Sequence, residues 1–169
     1  MKEIDYLIIH STNTSEVKDF GKDVIIKKHT ESIRNDGLGF NRPGFDYLIP
    51  FDGSLQVIIN EDNPTQTDIW GISNGLENLT GISKNIAYVG GRTLKEAWDK
   101  DTRTDAQKQT LETIVKFYVL RFPKIIILGF NEVPSKSLED SPAFSVGNWL
   151  YSIGIPEKNI YKKQPQVKV

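Results

Sequence analysis

Short and almost wholly apolar segments are the feature that most constrains the fold of this chain. Residues 6–9 read Y-L-I-I, residues 86–89 read I-A-Y-V, and residues 124–128 read K-I-I-I-L. Runs this short and this apolar are typical of strands that are buried on both faces of a sheet. We therefore expect a central sheet covered on both sides.

Residues 104–122 predict a long amphipathic helix between the last two of these strands. Thr104 suits the N-cap, Gln107 stands at the capping-box position, and Pro123 ends the segment. The segment also carries one apolar stripe at helical spacing: Leu111, Ile114, Val115, Tyr118 and Val119.

Strands that alternate with helices favour an α/β domain with a mixed central β-sheet flanked by helices. Further helices are predicted over residues 23–34 and around residues 149–151, and a hairpin turn at Asp52-Gly53 joins strands at 45–49 and 55–59. The length of 169 residues fits a single domain, 1–169. Within it, residues 151–169 are interpreted as a C-terminal extension with a loose end.

The composition argues against several classes of protein. The 21 basic and 22 acidic residues give no basic footprint for nucleic acid, and the lack of cysteine excludes a thiolate metal site. No apolar run approaches the roughly 18 residues of a membrane span. The N-terminus shows no signal peptide, so we expect a protein that stays in the cytoplasm of the producing cell or reaches the cell wall by another route. A leader removed before residue 1 is the remaining alternative.

A long polar segment at residues 60–83 is interrupted by Trp70. Long loops inside compact domains are often functional. Trp70 is therefore a candidate for stacking on a sugar or peptide, although packing inside the domain is an equally good interpretation. Trp98 and Trp149 are interpreted as packing residues, and His29 as a solvated or helix-packing residue.

Several fragments stand in an order that carries information about function. His10 ends the first strand in I-I-H-S, residues 43–53 read P-G-F-D-Y-L-I-P-F-D-G, and residues 85–91 read N-I-A-Y-V-G-G. Residues 101–108 read D-T-R-T-D-A-Q-K at the start of the long helix. The series ends with G-F-N-E at residues 129–132 and S-P-A-F at residues 141–144.

These fragments resemble, over about residues 4–150, the zinc-dependent N-acetylmuramoyl-L-alanine amidases of the phage-lysozyme and peptidoglycan-recognition-protein family. The family pattern runs roughly I-I-H-x-S/T, G-Y-H-F-V-I-x-x-D-G, S-I-G-I-x-Y-V-G-G, D-T-R-T-E-A-Q-K, G-H-x-D/E and C-P-x-F-D. The resemblance implies the α/β fold of that family, a bacterial or phage origin, and an ancestral activity on the amide between N-acetylmuramic acid and L-alanine. In the family, two histidines and the cysteine hold the zinc.

The positions that carry this chemistry differ here from the family pattern. His10 matches the first zinc histidine, but Phe130 stands at the second and Ser141 at the cysteine. Phe45 replaces a tyrosine that lies near the zinc-bound water in the family, and Asp46 replaces the adjacent histidine. The resemblance therefore implies a metal site that has lost two of its three ligands.

Lys136 is the candidate for the family's oxyanion-stabilising lysine, although residues 137–140 look like an insertion beside it. Phenylalanine has no lone pair, and a serine hydroxyl is a poor zinc ligand at neutral pH, so we expect no cofactor at this site. Asp46 is the leading substitute ligand, and other carboxylates lie near it in the motif frame: Glu132, Glu139 and Asp140.

Three functions remain open from the sequence. The first is an amidase-like pseudoenzyme that binds a muropeptide in a cleft bordered by seven residues: His10, Ser11, Phe45, Asp46, Trp70, Phe130 and Ser141. The second is an active amidase with a rebuilt metal site. The third is a regulatory module of phage or mobile-element origin that binds a protein partner.

Overall fold

The structure, a computed structural model, describes residues 2–60, 67–72, 79–136 and 139–163. Within these residues the chain forms seven strands: β1 (Tyr6–Ser11), β2 (Thr14–Ser15), β3 (Tyr47–Ile49), β4 (Gln56–Val57), β5 (Ser83–Tyr88), β6 (Gly91–Arg92) and β7 (Ile126–Gly129). The main sheet has the order β4-β3-β5-β1-β7, and β2 pairs with β6 in a separate two-stranded sheet. All neighbours in the main sheet are parallel except β3 and β4, which form the predicted antiparallel hairpin.

Three α-helices accompany the sheet in the described residues: α1 (Lys22–Thr30), α2 (Asp105–Arg121) and α3 (Val146–Ser152). Short 3₁₀ turns lie at Ile33–Asn35, Thr67–Trp70, Phe130–Glu132, Pro134–Lys136 and Glu157–Asn159. The predicted fold class, an α/β domain with a mixed sheet flanked by helices, is confirmed. No helix within the described ranges is long and apolar enough to cross a bilayer.

The two faces of the sheet have different roles. Side chains alternate along a strand, so Leu7 and Ile9 of β1 point to one face and Ile8 and His10 to the other. The first face packs against α2 and α3 in the largest apolar cluster. The second face packs Ile8 with Phe130, and its neighbouring strands pack against α1. His10 therefore lies on the face that α2 does not cover.

Several predicted elements are shorter than the sequence indicated, among them a helix and a strand. The helix predicted over 23–34 ends at Thr30 and is followed by a separate 3₁₀ turn. The strand predicted over 55–59 contains only Gln56–Val57, because the N–H groups of Ile58 and Ile59 both turn to the carbonyl of Asp46. Residues 61–66 and 73–78 of the predicted long loop lie outside the described residues.

The described part of the C-terminal segment packs against the rest of the domain. Ile155 and Ile160 are buried in the largest apolar cluster. Ile160 forms a parallel bridge with Ile127 of the edge strand β7, and the N–H of Tyr161 donates to the carbonyl of Ile127 at 3.1 Å. The loose end predicted for the chain falls largely on residues 164–169, outside the described residues.

Gln107 joins the start of α2 to the sheet. The predicted capping box is confirmed, since the Thr104 side chain accepts from the Gln107 backbone and the Gln107 side chain accepts from the Thr104 backbone. The side-chain amide of Gln107 also donates to the carbonyls of Ile49 and Val89, both at 3.0 Å. Gln107 is fully buried, so one side chain satisfies three backbone groups that water does not reach.

We expect Gln107→Leu to lower the free energy of unfolding by about 3 kcal/mol, because buried carbonyls would lose their donors. Gln109→Leu is the matched control, since Gln109 lies on the exposed side of the same helix. Urea unfolding of both variants measures the difference. Equal stabilities would contradict the role assigned to Gln107.

Candidate functional site

His10 is buried near the C-terminal end of β1, with 2% of its surface exposed. Its Nε2 lies 2.8 Å from Oδ1 of Asn85 on the adjacent strand β5. The Asn85 amide nitrogen donates to Ser83 Oγ at 3.2 Å, and in this amide orientation Oδ1 faces His10. A neutral imidazole that carries its proton on Nε2 donates to this oxygen.

Three aromatic rings enclose the His10 imidazole. Phe130 stacks on it with ring centroids 4.5 Å apart and an interplanar angle of 29°. Phe45 lies at 4.9 Å and Trp70 at 5.1 Å. Trp70 also stacks on Phe45 at 5.4 Å and meets Phe130 edge-on at 5.3 Å. We call these four residues the aromatic cluster.

His29 extends the aromatic cluster from α1. Its side chain is buried, and its Nδ1 accepts the backbone N–H of Gly44 at 2.8 Å. Its ring lies 4.7 Å from that of Phe45 and 5.5 Å from that of Trp70. Of the two interpretations made from the sequence, the solvated histidine is wrong and the packing histidine is confirmed.

Burial keeps both histidines neutral. Desolvation lowers the pKa of His10 to about 3, an effect that the hydrogen bond of the imidazole to Asn85 Oδ1 partly opposes. Desolvation likewise lowers the pKa of His29 to about 4, with a smaller contribution from the nearby charge of Lys28. A charged imidazole in either place would lose its hydration without gaining an ionic partner.

Ser141, at the position of the family's cysteine, lies beside β1. Its Oγ accepts the backbone N–H of Ser11 at 2.8 Å, and its own carbonyl accepts the N–H of Asn131 at 2.8 Å. The chain therefore brings the segments of His10, Phe130 and Ser141 together, as the motif order predicted. The side chains at this point differ from the ligands of the family, because the Ser141 hydroxyl oxygen already accepts a backbone hydrogen bond.

Asp46 is a fully buried carboxylate that pairs with a buried lysine. Its Oδ2 accepts the backbone N–H of Asn85 at 2.7 Å, and its Oδ1 lies 3.7 Å from Nζ of Lys84, which is itself buried. A buried ion pair is costly to break, because the remaining charge would be uncompensated. The Asp46 carboxylate thus serves Lys84 and Asn85, which argues against the predicted role of Asp46 as a substitute metal ligand.

Two of the other predicted carboxylate ligands, Glu132 and Asp140, have separate partners. Glu132 accepts the backbone N–H of Gly129 at 3.0 Å, and burial raises its pKa. Asp140 pairs with Arg92 at 3.4 Å. Lys136 ends the 3₁₀ turn Pro134–Lys136 and is half-buried; its proposed match to the oxyanion lysine stays a prediction. Across the described parts of the chain, no group of three or more His, Asp or Glu side chains is arranged to hold a metal ion.

The residues present do not fit a catalytic zinc site. Such a site needs three protein ligands and an open position for water. Here a phenyl ring lies against the imidazole of His10 where the second histidine of the family stands. The third position offers a hydroxyl that already accepts a backbone hydrogen bond.

Sequence reasoning missed two polar residues of the site and misplaced a tryptophan. Lys84 and Asn85 precede the predicted apolar strand, which in fact begins at Ser83, so their burial within β5 was not expected. The adjacent polar pair was the available signal. The prediction that Trp98 packs inside the domain is wrong, because 74% of its surface is exposed. Trp149 does pack, against Phe144.

Comparison with solved structures identifies the fold. The Ph2119 endolysin from Thermus scotoductus MAT2119 bacteriophage Ph2119 matches with a TM-score of 0.61 and 16% identity, over 92% of this chain and 88% of that one. Human PGRP-IBETAC in complex with glycosamyl muramyl pentapeptide matches with a TM-score of 0.61 and 12% identity, over 96% and 88%. The ectodomain complex of PGRP-LCa and PGRP-LCx bound to tracheal cytotoxin matches with a TM-score of 0.58 and 14% identity, over 87% and 80%.

The chain therefore has the fold of peptidoglycan recognition proteins and the related phage endolysin, and the resemblance found in its sequence is confirmed at the level of the fold. No family model matches the sequence, and no curated protein matches it significantly.

The two buried histidines predict a loss of stability in mild acid. Their pKa values are about 3 and about 4 in the folded protein, against about 6.5 for a histidine in the unfolded chain. Below pH 6.5 the unfolded chain therefore takes up protons that the folded chain does not. The contribution of the two neutral histidines to the free energy of unfolding is fully present above about pH 6.5. It falls toward pH 4 by about 1.4 kcal/mol per pH unit for each histidine.

Urea unfolding between pH 7 and pH 4.5 tests this expectation. The single variants His10→Gln and His29→Gln keep a polar group that does not titrate. Each should therefore reduce the number of protons taken up on unfolding, which sets the slope of the free energy of unfolding against pH, by about one. A slope that neither variant changes would show that other groups cause the pH dependence.

Proposed function

We propose that this protein binds a peptidoglycan fragment through an amidase fold and does not hydrolyse it. The stack of Phe130 on His10 is the observation that carries the proposal. It replaces a metal ligand with a hydrocarbon surface at the centre of the former catalytic site.

Hydrolysis of an amide in this family depends on a metal that activates water and polarises the carbonyl. His10 is the single remaining ligand, and its imidazole is covered by rings of the aromatic cluster. Phe45 lacks the hydroxyl with which a tyrosine would donate a hydrogen bond to a developing negative charge. These substitutions all remove the same chemistry, which supports loss of catalysis rather than its modification.

Binding is supported by the ligands of the structural neighbours. One neighbour is described in complex with a glycosamyl muramyl pentapeptide and another with tracheal cytotoxin. Aromatic side chains offer flat apolar surfaces with low conformational entropy, which suits the apolar faces of sugars and peptides. A muropeptide is therefore the ligand class that we assign to this fold.

A protein-interaction role is the second candidate, and one surface favours it. Val17, Leu94 and Trp98 expose 66%, 55% and 74% of their surface beside the small β2–β6 sheet. The hydroxyl of Ser15 donates to the Leu94 carbonyl at 2.8 Å and accepts the Val17 N–H at 3.4 Å, which holds two of these residues close together. Clustered exposed apolar residues often mark an interaction surface.

Sedimentation with purified sacculi should enrich the wild-type protein over an unrelated protein of similar charge, without release of stem peptide. Trp98→Ala should leave this enrichment unchanged, because Trp98 belongs to the other candidate surface. Absence of enrichment, together with a protein partner whose capture needs Trp98, would favour the interaction module instead.

Zinc titration by calorimetry tests the loss of catalysis separately. We expect the metal-stripped wild type to show no binding tighter than about micromolar, roughly 8 kcal/mol. The double variant Phe130→His, Ser141→Cys restores the ligand types of the family and should bind zinc more tightly than this limit.

His10→Ala in that double variant is the control and should abolish binding. Tight zinc binding by the wild type that disappears in His10→Ala would overturn the proposal, because it would mean that other residues had rebuilt the metal site.

A further inference from the structure

We propose that Trp70 is an internal plug, which occupies the ligand cleft and must move before a muropeptide can enter. The identity of the ligand rests on the proposed function, whereas the evidence for the plug is the set of contacts that the Trp70 indole makes.

Trp70 lies at the centre of a group of aromatic rings. Its ring centroid lies 5.1 to 5.5 Å from those of five other side chains: His10, His29, Phe40, Phe45 and Phe130. These rings come from separate segments of the chain that meet at this point. The indole therefore fills the space between them as a bound aromatic ligand would.

Trp70 is also the least buried member of the aromatic cluster. His10, Phe45 and Phe130 expose 2%, 4% and 6% of their surface, whereas Trp70 is only half-buried. The sequence predicted that these three residues border a cleft. They are instead buried, and the Trp70 indole packs against all three, so its displacement would expose them.

One hydrogen bond and one glycine hold the indole in place. Nε1 of Trp70 donates to the carbonyl of Gly44 at 2.9 Å. A methyl group added at Gly44 would lie 2.4 Å from Cζ2 of the indole, which is closer than van der Waals contact permits. Gly44 thus leaves the space that the indole occupies, and a Gly44→Ala substitution would push the plug outward.

Two variants consequently perturb the plug in different ways. Trp70→Ala removes the indole, and Gly44→Ala displaces it while keeping it in the chain. Trp98→Ala is the matched control, because it deletes an exposed tryptophan outside the aromatic cluster. Circular dichroism and thermal unfolding would establish that each variant is folded. If Trp70→Ala does not fold, Gly44→Ala still tests the plug.

The first readout does not depend on a ligand. Diethyl pyrocarbonate modifies accessible neutral imidazoles, and peptide mass spectrometry distinguishes His10 from His29. We expect slow modification of His10 in the wild type and in Trp98→Ala, and at least tenfold faster modification in the two plug variants. Equal protection of His10 in all four proteins would overturn the plug.

The second readout is affinity for a soluble N-acetylglucosaminyl-N-acetylmuramyl pentapeptide. Both plug variants should bind it at least tenfold more tightly than the wild type, because they no longer have to expel the indole. Unchanged or weaker binding by these variants would mean that Trp70 is a ligand contact or a packing residue, and the plug would be rejected while the proposed function stood. Exposure of His10 without muropeptide binding by any variant would keep the plug and reject the proposed function.

Discussion

Desolvation of the His10 imidazole is the constraint on which the rest of the site depends. An imidazole that is enclosed by three aromatic rings keeps its neutral form and needs a fixed hydrogen-bond partner, which Asn85 provides. Asn85 is held in turn by Ser83 through its side chain and by Asp46 through its backbone. Lys84 supplies the charge that makes a buried Asp46 tolerable. These polar residues thus form one hydrogen-bonded network beneath the neutral His10, and aromatic rings pack against the same imidazole.

The fold could be predicted largely from local patterns. The apolar strands, the capping box of α2 and the Asp52-Gly53 turn each depend on residues close in sequence, and each has a direct physical cause. Errors arose where distant residues decide the outcome. The strand predicted at 55–59 is shorter because the N–H groups of Ile58 and Ile59 bond to the carbonyl of Asp46, a contact that a local pattern cannot show.

The site was predictable in position but not in content. Motif order placed His10, Phe130 and Ser141 in one region, and the structure brings their segments together there. The sequence could not show that Phe130 and Trp70 would both pack on His10, because ring stacking depends on side-chain orientations in three separate segments. Trp98 illustrates the opposite error: hydrophobicity alone suggested packing, although the tight turn around residues 93–98 presents the ring to solvent.

The pairing of Ile160 with β7 has a consequence for how the protein behaves at high concentration. β7 is an edge strand of a largely parallel sheet, and an open edge of this kind offers backbone donors and acceptors to any other extended chain. The return of residues 160–161 covers part of that edge with the protein's own backbone. Shortening the chain before this point would therefore lower solubility as well as stability, because Ile160 would leave the apolar core and the newly open strand would pair with neighbouring molecules.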